Sequence, residues 1–147
     1  MPIVQPVSPE VLDRLRLEER FECWNRGEFE LMLEPYAEDA VFDVSAVFTD
    51  IAPVRGRENM QRCWQEMRET WDGVRLDPVE LLDVGDGGYV VDLRLWGRGR
   101  RSGAEVDQRF AMLYAVRPED GKVTRAQLLP DMAEAISVAE SSASQPG

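Results

Sequence analysis

What this chain could do chemically is limited first by what it lacks, because its 147 residues contain no histidine. Imidazole bases, Ser-His triads and histidine-ligated zinc or iron sites are thereby excluded. Proton transfer is left to carboxyl, phenol and thiol groups, to water polarised by arginine, and to a single lysine, Lys122. The two cysteines, Cys23 and Cys63, are too few for a cysteine-only metal site. Each falls at an apolar position of a predicted helix, where a reduced thiol behaves as a small hydrophobe. The aspartates between the later strands lack the spacing of a calcium loop, so no metal and no cofactor is expected. The remaining candidates are Asp43 as a base and Tyr114 as a hydrogen-bond donor. Gln108 and Gln127 are polar positions on strands, Asp50 lies with Asp43 near a mouth, and Arg20 or Asn25 could enter from the first helix. An Arg20–Asp43 pair in an apolar cavity would be an acid–base site, since burial and pairing shift a carboxyl pKa in opposite directions.

Such groups need a scaffold, and composition bounds it. A chain of this length, 44% hydrophobic, is one domain. It can bury roughly 68–70% of its unfolded surface. The formal charge of −11 opposes binding to nucleic acid or to anionic membrane surfaces, both of which require clustered cations. No apolar run approaches the roughly 18 residues of a spanning helix, and Met1-Pro2-Ile3-Val4-Gln5 lacks the charged and apolar regions of a signal peptide. The expected location is the cytoplasm.

Ser8-Pro9-Glu10 opens a helix with a capping hydroxyl, a proline at the first helical position and an early acid. That helix is predicted to run to about Arg26 with Leu12, Leu15, Phe21 and Trp24 inward, ending at Gly27. A short helix follows over Glu28–Glu34, stopped by Pro35, then a strand over Val41–Phe48. After a loop at Thr49–Arg57, Met60, Cys63, Trp64, Met67 and Trp71 form one helical stripe, opposed by Arg62, Gln65, Glu66, Arg68 and Glu69. Strands are predicted at Leu76–Val84, Tyr89–Gly97, Ala104–Val116 and Lys122–Leu129, separated by Gly- and Asp-rich turns. Asp131–Glu140 reads as a last helix. Residues 1–8 are expected to be a flexible N-terminus, 9–140 the domain, and 141–147 a disordered tail.

With the turn at Gly99–Gly103, one register sets Arg94 opposite Asp107 and Asp92 opposite Arg109. Val91, Leu93, Leu95, Gln108, Phe110, Met112 and Tyr114 then share a face suited to the concave side. Asp92, Arg94, Trp96, Arg98, Glu105, Asp107 and Arg109 take the other face, running into Ala111, Leu113 and Ala115. That small apolar patch needs a cover, and a second copy of the chain packed back to back would supply it. A homodimer through Asp92, Arg94, Asp107, Arg109 and Leu113 is the expectation.

The segments Asn25-Arg26-Gly27-Glu28 and Tyr36-Ala37-Glu38-Asp39, Pro53 with Gly56 before the amphipathic helix, and Gly121-Lys122-Val123 before a final strand resemble the SnoaL-like branch of the nuclear transport factor 2-like superfamily. The resemblance covers about Pro9 to Ala139. It implies an α+β fold in which a cone-shaped, curved, mostly antiparallel sheet packs on N-terminal helices around a pocket for a small hydrophobic molecule. The lining it suggests is Arg20, Trp24, Phe42, Trp64, Met67, Trp71, Gln108, Phe110, Met112 and Gln127. Ketosteroid isomerases are similar to this chain, but their catalytic tyrosine, aspartate base and second acid would fall on Arg20, Val44 and Met112. The last-strand acid of limonene epoxide hydrolase would fall on Leu128. Two functions stay open: a binding module for an apolar ligand, and a small cofactor-independent isomerase, cyclase or hydrolase acting on a hydrophobic or polyketide-like substrate.

Overall fold

The computed structural model describes residues 4–143, with the side chains of 142 and 143 excepted. Its chain order is β1 (Gln5–Pro6), α1 (Pro9–Leu15), α2 (Leu17–Asn25), α3 (Glu30–Leu33), β2 (Tyr36–Asp43), β3 (Val54–Arg55), α4 (Arg57–Thr70), β4 (Trp71–Gly85), β5 (Gly88–Gly99), β6 (Glu105–Val116), β7 (Val123–Leu129) and α5 (Met132–Ala143). Seven strands form one sheet in the order β1-β4-β5-β6-β7-β2-β3, antiparallel throughout except for β2 beside β7. The sheet curls around a core containing Phe21, Trp24, Met32, Tyr36, Phe42, Met60 and Trp64. This is the expected α+β cone.

The long first helix is the main local correction, because the chain forms two helices joined at Arg16 in the left-handed conformation (φ 54°, ψ 38°). Its cause is legible in the apolar spacing. Leu17, Phe21 and Trp24 share one helical stripe, but Leu15 lies about 200° of helical rotation from Leu17, so a continuous helix would have to choose between them. The break turns α2 inward, with Phe21 and Trp24 buried, and leaves Leu15 40% exposed. Arg20 fixes the joint by donating from Nε to the Leu15 carbonyl at 2.7 Å. Ser8 does cap α1, accepting from the Val11 amide. Residues 5 and 6, expected in a flexible N-terminus, pair with Asp83 and Leu82 of β4.

Other boundaries move for equally local reasons. The strand expected at 41–48 occupies 36–43 and stops because Asp43 accepts hydrogen bonds from the amide and hydroxyl of Ser45 (2.9 and 2.6 Å), a side-chain turn that diverts the backbone. The amphipathic helix ends at Thr70, one residue before Trp71, which opens β4 in extended geometry. Residues 141–143, assigned to a disordered tail, belong to α5, while 144–147 lie outside the described residues.

In the β5–β6 hairpin, Arg94 stands opposite Arg109 and Trp96 opposite Asp107, two residues from the expected register. A shift of two preserves side-chain parity, so the two faces keep their residues. The ion pairs survive as diagonals: Arg94 to Asp107 at 2.6 Å and Arg109 to Asp92, joined by a direct Arg98–Glu105 pair at 2.8 Å. The apolar patch beside them is covered from within the chain. Ala135, Met132, Ile136 and Ala139 of α5 pack with Ala111, Leu113, Val90 and Leu129 on this convex face. The uncovered patch that argued for a second copy is therefore met by α5.

Candidate functional site

The concave face and the helices enclose an apolar cavity of about 50 Å³. Trp24 enters from α2, Phe42 from β2, Trp64 and Met67 from α4, Trp71 from the start of β4, and Phe110, Met112 and Tyr114 from alternate positions of β6. Trp64 is the hub, with its ring centroid 5.7 Å from Phe29, 6.0 Å from Tyr36 and 5.7 Å from Phe42. The buried members form the base of the cone. Phe48, Met67, Trp71 and Phe110 are half-buried and border its mouth, with the Phe48 and Phe110 rings 6.4 Å apart. Trp71 lies against Gly97 of β5, where a β-carbon would stand 2.7 Å from its ring, so the absence of a side chain sets the position of one cavity wall.

Three expected lining residues are elsewhere. Gln108, although on the concave-side parity, sits exposed opposite Leu95 near the end of the hairpin. Gln127 alternates with the inward Ala126 and Leu128 and therefore faces outward, between Asp43 and Leu113 of the neighbouring strands. Arg20 is taken up by main-chain and surface partners: the carbonyls of Leu15 and Leu31, and Glu34 at 3.2 Å. Asn25 likewise bonds backbone, exchanging two hydrogen bonds with Leu76 of β4 (2.8 and 2.9 Å).

Asp43, the expected base, is buried but points away from the cavity, because its strand neighbours Phe42 and Val44 take the inward positions. Burial would raise its pKa. The Ser45 hydroxyl and amide, with the Arg125 guanidinium 3.2 Å away, outweigh that and hold it below the ordinary carboxylate value. It is an ionised turn anchor, and it does not meet Arg20. Asp50 is exposed. Cys63 is buried beside Met67, and burial pushes its thiol pKa up, as suits a structural thiol.

Tyr114 does line the cavity, and it has a partner that the strand boundary concealed. Tyr36, at the start of β2, lies against it with ring centroids 6.4 Å apart and the planes tilted by 59°. Desolvation raises both phenol pKa values, Tyr36 well above its ordinary value, so both are neutral donors across the physiological range. The signal was present in the sequence: a strand beginning at Tyr36 puts an aromatic residue immediately after Pro35, where α3 ends. Val44, Met112 and Leu128, onto which the resemblance carries catalytic positions of relatives, also line the cavity and are apolar. No group of three or more potential metal ligands occurs among the described residues.

The SnoaL-like domain family matches residues 17–126, a span that includes α2 to α4, the tyrosine pair and most of the sheet. The chain belongs to this family. No curated protein matches this SnoaL-like chain significantly. Solved structures do, at identities that speak for the fold alone. TerC, co-crystallised with polyporic acid, superposes with a TM-score of 0.68 at 18% identity, covering 88% of this chain and 99% of its own. A hypothetical protein from Catenulispora acidiphila DSM 44928, of ketosteroid isomerase-like fold and in complex with trimethylamine, gives 0.64 at 13%, covering 89% and 92%. SalBIII, described as an epoxide hydrolase/cyclase-like enzyme with a role in pyran ring formation in salinomycin, gives 0.62 at 17%, covering 84% and 93%. None of the helices in this SnoaL-like chain is long and apolar enough to cross a membrane, among the described residues.

Proposed function

We propose that this SnoaL-like domain binds a small apolar molecule carrying one hydrogen-bonding oxygen, held in the cone without covalent chemistry. The observation that supports this reading is the lining itself, in which the only side-chain oxygens are the neutral phenols of Tyr36 and Tyr114. Each phenol carries one proton that it can donate to a carbonyl or hydroxyl oxygen of a ligand. The cavity's 50 Å³ is well below the roughly 300–1,000 Å³ of small-molecule pockets. Entry therefore requires the half-buried rings at the mouth, Phe48, Phe110 and Trp71, to rotate outward.

A second reading, an enzyme in which Tyr114 acts as a general acid on a cyclising substrate, draws on the same phenols and on the role of SalBIII in pyran ring formation. It needs a base, and the cavity wall offers none, since Asp43 faces the other side of the sheet. Binding is thus the better reading. A crystal structure of protein as purified would test it. Density for an apolar molecule with its polar end on the tyrosines is expected. An aromatic base sealed around an empty cavity, with no compound released on denaturation, would overturn it.

A further inference from the structure

A second hollow lies beyond the tyrosine pair, about 300 Å³ in volume against 50 Å³ for the cone. Met32, Tyr36 and Tyr114 belong to both walls. Its floor carries Leu81, Tyr89 and Val91, and its roof is α1, which contributes Val11 and Leu15. We infer that this chamber is a separate binding site for a compact, neutral, largely hydrocarbon molecule with a single hydroxyl or carbonyl group.

The roof is built as a span. α1 is held before its start by the β1–β4 pairing and the Val7 amide bonded to the Leu81 carbonyl at 3.0 Å, and at its end by the Arg16 joint and the Arg20 clamp. Between those supports α1 buries no residue of its own. A helix anchored at both ends over unfilled space leaves Leu15 40% exposed on the chamber wall, apolar surface that an occupant would remove from water. The volume falls at the lower end of small-molecule cavities, roughly 300–1,000 Å³. Charge is selected against on both sides. The wall includes no carboxylate to hold a cation, and its one guanidinium, Arg20, already donates to two carbonyls and Glu34, leaving little for an anion. The wall offers the hydroxyls of Tyr36, Tyr89 and Tyr114 to such an oxygen, and Tyr89 belongs to this chamber and not to the cone.

The probes are 2-naphthol and naphthalene, titrated into the full chain while methyl NMR signals of the chamber (Val11, Leu15, Leu81) and of the cone (Val44, Leu93, Leu128) are followed. Saturable shifts of the chamber methyls with 2-naphthol are expected, and weaker binding of naphthalene. Val11→Trp, which fills the chamber from its roof, should weaken this binding at least tenfold. Val74→Phe, which fills only the cone, should leave it within twofold. If Val11→Trp unfolds α1, Leu15→Trp at the exposed position replaces it. Shifts confined to cone methyls and insensitive to Val11→Trp, or no saturable shift of any methyl up to the solubility of 2-naphthol, would overturn the chamber site. Chamber shifts alone would leave it standing while removing support from the cone reading.

Discussion

The cone and the chamber under α1 share three wall residues yet are built in opposite ways. The cone is packed by aromatic rings until about 50 Å³ remains, whereas the chamber keeps about 300 Å³ behind a wall of aliphatic and tyrosine side chains and a helix with no fully buried residue. Where large side chains converge, volume has to come from their motion. Where a helix is pinned at its ends and cannot descend, volume is fixed by the backbone. In this fold the space that is energetically costly to open is the one that the resemblance indicates, and the space already open is the one formed by a local break in the first helix.

The largest expected effect tests the packed side of that comparison. Trp64→Ala removes the hub of the aromatic cluster and should lower stability by about 3–5 kcal/mol, measured by denaturant unfolding. Val11→Ala on the chamber roof should cost less than about 1 kcal/mol. Equal losses would mean that α1 carries core packing and that the chamber is not a built void. Next comes Gly97→Ala, whose methyl would meet the Trp71 ring and must push it from the cone wall. About 1–3 kcal/mol of destabilisation is expected, with a change in cone binding and none in chamber binding.

The joint at Arg16 gives a smaller effect. Arg16→Gly removes the left-handed strain, whereas Arg16→Ala keeps it, and both lose the exposed bond to Glu19. The glycine variant should be the more stable of the two by about 1 kcal/mol. If the order reverses, the strain argument for a fixed span fails. The last prediction concerns pH. Because the folded pKa of Asp43 is depressed, the unfolded chain takes up its proton first, so this group's contribution is complete above about pH 4 and is lost as pH falls through the folded value. For Tyr36 and Tyr114 the folded pKa is raised, so their contribution is complete below about pH 10 and declines above it. Asp43→Asn should flatten the acid limb of a stability profile and Tyr36→Phe the alkaline limb, each leaving the other unchanged.

The resemblance, together with helical and strand periodicity, suggested Trp24, Phe42, Trp64, Met67, Trp71, Phe110, Met112 and Tyr114 around one cavity, and these eight line the cavity of the structure. These are periodic apolar positions, and period is a local property that survives a two-residue error in register. The polar candidates fared differently. Asp43, Arg20, Gln108 and Gln127 carry no periodic signature, and each is directed by its particular neighbours: Ser45 and Arg125, the Leu15 and Leu31 carbonyls, the hairpin end, and the inward Ala126 and Leu128. Tyr36 was hidden by placing a strand start five residues late. The covered patch at Ala111 and Leu113 shows the same limit, since nothing within β6 says that α5 returns to it.

By itself the sequence determined, through repeat spacing and turn chemistry acting over a few residues, most of the helices and strands, the two faces of the long hairpin and the apolar stripe of the amphipathic helix, while the α+β cone came from its resemblance to a family. Only the tertiary structure decided which polar groups face the interior, that Tyr36 meets Tyr114 from strands more than half the chain apart, and that the broken first helix roofs a chamber. Those outcomes depend on contacts between distant segments, and no local pattern encodes a partner that arrives from the other end of the sheet.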